Sequence, residues 1–130
     1  MIIFGHRFIP SNNLFHVINI DAVLNTPPSS TLFLEFSEEN LDVINHLSAN
    51  AIPYALCVKD LTQIIYASAL NASYVIVDKE LAKDAQSLAN EYLFDAKVLV
   101  KIEEDDEIEE LAKLGVDGVI YSNAIIKTNS

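Results

Sequence analysis

The sequence has few glycines, a single cysteine and few basic residues, and each shortage excludes a class of protein. Three glycines among 130 residues leave no glycine-rich turn, so a dinucleotide-binding fingerprint and a Walker A phosphate loop are both absent. The one cysteine, Cys57, excludes an internal disulfide framework and zinc sites built from several cysteines. Eight Lys and Arg against 19 Asp and Glu give a net charge of −11, which argues against nucleic-acid binding and docking on anionic membranes.

The composition is that of a folded domain. Apolar residues make up 51% of the chain and charged residues 21%, whereas a disordered chain would be poor in apolar residues. The length predicts a single α/β domain over residues 1–130. The N-terminus lacks the pattern of a secretory signal, and the lone thiol is typical of a reducing compartment, so we expect a cytoplasmic protein.

Five short apolar runs predict the strands of a sheet. They are rich in β-branched and aromatic residues, and most do not alternate with polar residues. Near-continuous apolar runs indicate burial on both faces, which is typical of a parallel sheet covered by helices. The runs are Leu32–Phe36, Tyr54–Val58, Tyr74–Asp78, Val98–Ile102 and Gly118–Ser122.

Four helical patterns separate these runs. Each carries apolar residues at the spacing of one helix face, and Asn50, Asn71, Asp95 and Gly115 mark where the helices end. The helices are predicted at Glu38–Ala49, Leu61–Leu70, Glu80–Phe94 and Glu107–Leu114. Because a helix is the usual crossover between parallel strands, residues 32–122 read as repeated β-α units.

Two architectures fit these repeated units. The favoured one is a mostly parallel, five- or six-stranded sheet with helices on both faces, a three-layer, flavodoxin- or Rossmann-like form without a nucleotide fingerprint. The alternative is half of a β/α barrel, with all helices on one face and an exposed apolar sheet face that makes it dimerise. A full barrel needs about twice this length.

Residues 1–31 do not follow the repeat. They hold short apolar pieces, from which we expect an irregular segment with one or two edge strands, including Met1–Phe4. The run Thr26–Ser30 contains two consecutive prolines and is predicted to be a turn or linker.

A candidate ligand site follows from the topology. In parallel α/β sheets, ligands bind beyond the carboxyl ends of the strands. Lysines at that edge, Lys59 and Lys101 among them, would attract an anionic or phosphorylated ligand. The residues predicted to line the site are Glu35, Lys59, Asp78, Lys101 and Ser122.

Other chemistry-bearing residues are better explained as structural. The acidic run Glu103–Glu110 lacks the spacing of a calcium loop and fits the start of a helix. Its Asp105 is predicted to be the N-cap of that helix. The three histidines are scattered, and Cys57 lies within a buried strand. We therefore predict no metal and no cofactor, and no catalytic residue is assigned.

One segment resembles a known family. Residues 98–121, VLVKIEEDDEIEELAKLGVDGVIY, are similar to the last strand–helix–strand of glycerophosphodiester phosphodiesterases, which are β/α barrels with a comparable Leu-Gly-Val-Asp-Gly segment. The resemblance covers about a fifth of the chain. It implies β/α geometry in this region.

The functional motifs of that family are mostly missing. His6 and the following arginine match the start of the family's His-Arg-Gly, but Phe8 replaces the glycine. Glu35 matches the glutamate of its Glu-x-Asp motif, whereas Ser37 stands in place of the aspartate. His46 is not followed by the aspartate of its His-Asp pair. The resemblance therefore implies shared β/α geometry, without most of the family's metal ligands.

The sequence thus leaves two hypotheses for function. The first is a non-catalytic protein-interaction or self-associating module, motivated by high apolar content without a catalytic constellation. The second is a domain that binds, or acts on, a small anionic or phosphorylated metabolite at the strand ends.

Overall fold

The computed structural model of the chain describes residues 1–128 and contains eight short strands and five α-helices. The strands are β1 (Ile2–Phe4), β2 (Leu14–His16), β3 (Thr31–Glu35), β4 (Tyr54–Cys57), β5 (Tyr74–Val77), β6 (Lys97–Ile102), β7 (Gly118–Tyr121) and β8 (Ile125–Lys127). The helices are α1 (Ile20–Leu24), α2 (Leu41–Ala49), α3 (Leu61–Ala69), α4 (Lys79–Glu91) and α5 (Glu107–Leu114).

All eight strands form one sheet in the order β1-β7-β6-β5-β4-β3-β2-β8, and every neighbouring pair is parallel. The five helices pack on one face of it, where buried side chains from each helix meet strand residues such as Leu34, Val75 and Val100. No residue of α1 to α5 contributes to the core on the opposite face. Within residues 1–128, none of the helices combines the length and apolar character needed to span a membrane.

The sheet curls strongly toward the face that has no helices. The rings of Phe4 on β1 and Tyr74 on β5 have centroids 5.6 Å apart, although two strands separate β1 from β5. In a flat sheet, that separation would be about 14 Å at the usual strand spacing. The two edges also approach each other, because only the three-residue turn Ser122–Ala124 connects β7, the neighbour of the edge strand β1, to the other edge strand, β8.

The concave face of this sheet is filled by its own side chains. Alternate residues of neighbouring strands point to that face and form a second core. Gly118 is required there, because a Cβ at this position would lie 2.5 Å from the carbonyl oxygen of Ile2 and 2.7 Å from a methyl group of Leu99. The buried residues of this concave core are Leu14, Phe33, Ala55, Ile76, Leu99, Ile120 and Ala124.

A buried polar contact ties α4 to the amino ends of β6 and β7. The side chain of Gln86 is 3% exposed, and its carbonyl oxygen accepts the N–H of Asp117 at 2.9 Å. The carboxylate of Asp117 accepts the N–H of Val98 at 2.9 Å. Asp117, the residue before β7, therefore has a structural role in fixing the helix and two strands to each other.

The helix ends follow the predicted pattern in part. Asn71 and Gly115 adopt the left-handed conformation, as their positions predict. In α2 and α4 the left-handed residue is Ala51 and Leu93 rather than the Asn or Asp near it. The turn location was thus predictable from the spacing, while the residue that carries the positive φ was not.

The predicted parallel α/β sheet is confirmed, in the half-barrel form that was the alternative. The three-layer form is not adopted, since all helices share one face. The sheet has eight strands rather than five or six. The edge strands β1 and β2 lie in the N-terminal segment where one or two were expected, whereas β8, three residues beyond the last predicted strand, was not predicted. The expected exposed sheet face is absent: the sheet curls until its concave side chains bury one another, so this face does not need a second copy.

Candidate functional site

Four of the five predicted site residues lie at the carboxyl ends of the four adjacent strands β3 to β6. Glu35 ends β3 and pairs in register with Cys57, which ends β4. Lys101 lies near the end of β6, whereas Lys59 and Asp78 follow the ends of β4 and β5. These four residues and Cys57 form what we call the strand-end cluster: Glu35, Cys57, Lys59, Asp78 and Lys101.

Side-chain alternation directs the cluster to the concave side of the sheet. Glu35 and Lys101 lie two residues beyond Phe33 and Leu99, which belong to the concave core. Cys57 packs against the same core and is only partly exposed. The cluster therefore forms a charged rim above an apolar floor.

The Cys57 thiol lies within the electrostatic field of all four charged groups. Burial raises its pKa above the ordinary value, and the carboxylates of Glu35 and Asp78 raise it further. The ammonium groups of Lys101 and Lys59 act in the opposite direction and lower it. Two cations and two anions thus lie within electrostatic range of the same thiol.

Within residues 1–128, the four charges of the cluster are not neutralised by ion pairs. The ion pairs among residues 1–128 are Lys79–Glu107 and Lys113–Glu109, His6 contacts Asp105, and none of these contacts involves the cluster. Its charged groups are solvent-exposed and can contact a ligand.

Local hydrogen bonds position Lys59 at the start of α3. Asp60 is the N-cap of this helix and accepts the N–H of Gln63 at 2.8 Å. The Gln63 side chain in turn accepts the N–H of Lys59 at 2.9 Å. The second bond differs from a capping box, in which the N–H of the N-cap residue itself would be accepted, and it holds the backbone of Lys59 at the rim.

A cleft of 370 Å³ opens between the ends of β5 and β6. Its volume lies in the range of small-ligand sites. Two members of the strand-end cluster, Asp78 and Lys101, lie in its wall. The full lining is Asp78, Lys79, Glu80, Lys101, Ile102, Glu103 and Glu107.

Glu107 shapes the loop that borders this cleft. Its carboxylate accepts the backbone N–H groups of Glu104 and Glu103 at 2.8 and 2.9 Å, and pairs with the Lys79 ammonium at 3.0 Å. These two hydrogen bonds and the Lys79 contact lower the pKa of Glu107 to about 2. The acidic run after β6 is therefore folded around one of its own carboxylates.

Ser122, the fifth predicted residue, does not join the strand-end cluster. Its hydroxyl donates to the carboxylate of Glu103, which lies in the wall of the cleft. Ser122 begins a 3₁₀ turn, Ser122–Ala124, that connects β7 to β8. It therefore orients a residue of the cleft rather than facing the thiol.

A second polar group at this end of the sheet was not predicted. Asp105 accepts the Tyr121 hydroxyl at 2.5 Å and contacts Nε2 of His6 at 3.3 Å. The N–H of Phe8 donates to Nδ1 of His6 at 3.1 Å, so the ring proton lies on Nε2, facing Asp105. The N-cap of α5 is Asp106, and the prediction of Asp105 in that role was wrong.

These contacts shift two pKa values in opposite directions. Hydrogen bonds from Tyr121 and His6 lower the pKa of Asp105. Burial, followed by the bond to Asp105, raises the pKa of Tyr121 to about 12. The three side chains come from β7, the segment after β1 and the segment after β6, and no local sequence pattern could have linked them.

His16 is a further residue that the sequence did not single out. It ends β2, and its ring packs edge-on against Phe33 with centroids 5.0 Å apart. Burial lowers the pKa of His16, while the nearby Glu35 raises it and Lys127 lowers it. The neutral imidazole is therefore a polar neighbour of Glu35 at the rim.

Comparisons with known proteins do not extend the partial resemblance. No family model matches the chain, and a search of curated proteins finds no match. Among residues 1–128, no group of three or more His, Cys, Asp and Glu side chains is arranged to hold a metal ion. His6 contacts Asp105 instead of joining Glu35, so the two residues that echo the phosphodiesterase motifs do not act together.

Proposed function

We propose that this domain binds a small metabolite with an anionic group at the strand-end cluster. The observation that carries this proposal is the convergence of Lys59 and Lys101 on the Cys57 thiol without an internal ion pair for either lysine in residues 1–128. In a chain of net charge −11, two unpaired cations near one point form the local field that an anionic group needs.

The site favours binding over catalysis. Both ring nitrogens of His6 are engaged, one by Phe8 and the other by Asp105, so neither is free to transfer a proton to a ligand. The raised pKa of Cys57 keeps the thiol protonated, and the thiol is a poor nucleophile in that form. A binding role needs only the charges and the cleft.

Ligand-induced stabilisation tests this proposal. We would screen phosphorylated and carboxylated metabolites for a rise in the melting temperature, since a ligand that binds only the folded state stabilises it. The expected result is stabilisation that the Lys59→Ala/Lys101→Ala double variant abolishes.

Lys97→Ala is the matched control for that screen. Lys97 lies on the same strand as Lys101, is likewise exposed, and occupies the opposite end of β6. Equal loss of stabilisation in Lys97→Ala, or no stabilising ligand at all, would contradict a site at the strand ends.

Self-association is a second candidate function, supported by the surface of α3. This helix contains no charged residue, and it exposes Leu61, Ile65 and Tyr66. Light scattering coupled to size exclusion tests it, with Ile65→Asp as the variant expected to dissociate a dimer. A wild-type chain that stays monomeric at high concentration would exclude it.

A cytoplasmic location and the absence of a nucleic-acid partner stay predictions from composition.

A further inference from the structure

We infer that the ligand of the cleft between β5 and β6 carries an ammonium group as well as an anionic group. This inference rests on the proposed function and specifies its ligand class. The juxtaposition behind it is an unpaired carboxylate, Asp78, beside an unpaired ammonium, Lys101, in the wall of one cleft.

The register of the sheet places these two groups side by side. Val77 on β5 pairs with Val100 on β6, and Asp78 and Lys101 are the residues that directly follow this pair. Asp78 keeps an extended backbone, so the strand direction continues through it. Neighbouring parallel strands lie about 4.8 Å apart, so a small molecule can reach both side chains.

The other charged groups of the cleft are already partnered or add to the negative side. Lys79 is paired with Glu107, and Glu103 accepts the Ser122 hydroxyl. Glu80, in the first turn of α4, places a second carboxylate at the rim beside Asp78. Lys101 is thus the cation of the cleft that can bind an anionic group of the ligand. The carboxylates then face the part of the ligand next to that anionic group.

A ligand with only negative charge would fit this arrangement poorly. An anionic group bound to Lys101 would approach the carboxylates of Asp78 and Glu103, and like charges at that range repel. An ammonium group a few bonds from the anionic group would instead form a charge-assisted hydrogen bond with Asp78. An aminoalkyl phosphate or an amino acid has this combination of charges.

Two pairs of nearly isosteric probes test the inference by calorimetry on the full chain. Phosphoethanolamine is compared with propyl phosphate, and β-alanine with butyrate; in each pair a methyl group replaces the ammonium. In at least one pair the ammonium-bearing member should bind about tenfold more tightly, as expected for one hydrogen bond to a charged group. The two pairs also distinguish a phosphate ligand from a carboxylate ligand.

Variants assign that difference to the two residues. Asp78→Asn should remove the preference for the ammonium-bearing probe, and Asn is as good an N-cap as Asp, so α4 should still form. Lys101→Gln should weaken both members of the pair. Asp84→Asn, an exposed aspartate further along α4, is the matched control and should leave the preference unchanged.

The outcomes separate this inference from the proposed function. Equal binding within both pairs, or a preference that survives Asp78→Asn, overturns the ammonium inference while anion binding at Lys101 stands. Absence of binding by all four probes at millimolar concentration contradicts both.

Discussion

The two ends of the curled sheet differ in chemistry although the same strands build both. The carboxyl end carries the strand-end cluster, the charged cleft and the Asp105 contacts. The amino end carries left-handed turns and a mostly apolar hollow of 510 Å³ lined in part by Leu24, Pro28 and Ile52. The comparison shows that backbone turns dominate one end, whereas the other end combines partnered charges such as Glu107 with the strand-end cluster, whose charges make no ion pair within residues 1–128.

A substitution in the concave core, which both ends of the sheet share, should have the largest effect on the free energy of unfolding. Leu99 is fully buried on the concave face, and Leu99→Ala should lower the free energy of unfolding by about 2–5 kcal/mol, because it leaves a cavity. Leu24→Ala, at an exposed residue of the amino end, should change it by less than about 0.5 kcal/mol. Urea denaturation measures both, and similar values would mean that the concave core is not packed as described.

The close contact at the start of β7 should give the next largest effect. Gly118→Ala places a methyl group against the backbone of β1, and overpacking of this kind costs about 1–3 kcal/mol. Gly115→Ala is the comparison, since its position has open space and only the left-handed backbone opposes a side chain, at about 1 kcal/mol. A Gly118→Ala variant as stable as wild type would contradict the approach of β1 to β7.

A smaller, pH-dependent effect is expected at the carboxyl end. The pKa of Glu107 falls from 4.5 to about 2 on folding, so its carboxylate stabilises the fold above pH 4.5 and this stabilisation is lost as the pH falls toward 2. Glu107→Gln should therefore be less stable than wild type at neutral pH, and the difference should shrink as the pH falls through that window.

The control for this effect is Glu109→Gln. Glu109 makes only an exposed pair with Lys113 at 3.6 Å, so its replacement should change stability little at any pH. Denaturation curves recorded across the window compare the two variants. A difference for Glu107→Gln that is constant with pH would refute the ionic role of that carboxylate.

The smallest expected effects on stability are those of the two exposed lysines at opposite ends of β6. Lys101→Ala and Lys97→Ala remove exposed lysines from the two ends of β6, and each should change the free energy of unfolding by less than about 0.5 kcal/mol. A large loss on replacing Lys101 would show that it holds the fold together, and its role in binding would need another explanation.

The regular part of the fold was predictable from local patterns. Five apolar runs and four amphipathic stretches lie where β3 to β7 and α2 to α5 are found, because burial of strands and helices imposes its own period. The curl was not predictable, since it depends on which side chains fill the concave face. A small residue such as Gly118 or Ala55 gives no periodic signal of that role.

Only the part of the candidate site that follows from the strand topology was predictable from the sequence. The rule that parallel strands present their carboxyl ends at one edge identified Glu35, Lys59, Asp78 and Lys101, which converge. Ser122 satisfied the same rule but bonds to Glu103. The contact between His6 and Asp105 joins residues distant in the chain, and only the folded sheet brings them together.

The pH dependence of Cys57 alkylation tests the central claim, which is that opposite charges converge on this thiol. Because Lys101 lowers the pKa of Cys57 and Glu35 raises it, Lys101→Gln should shift the rate profile to higher pH, and Glu35→Gln should shift it to lower pH. The control, Lys97→Gln, should leave the wild-type profile unchanged. The same profile in all four proteins would contradict the convergence and, with it, the site.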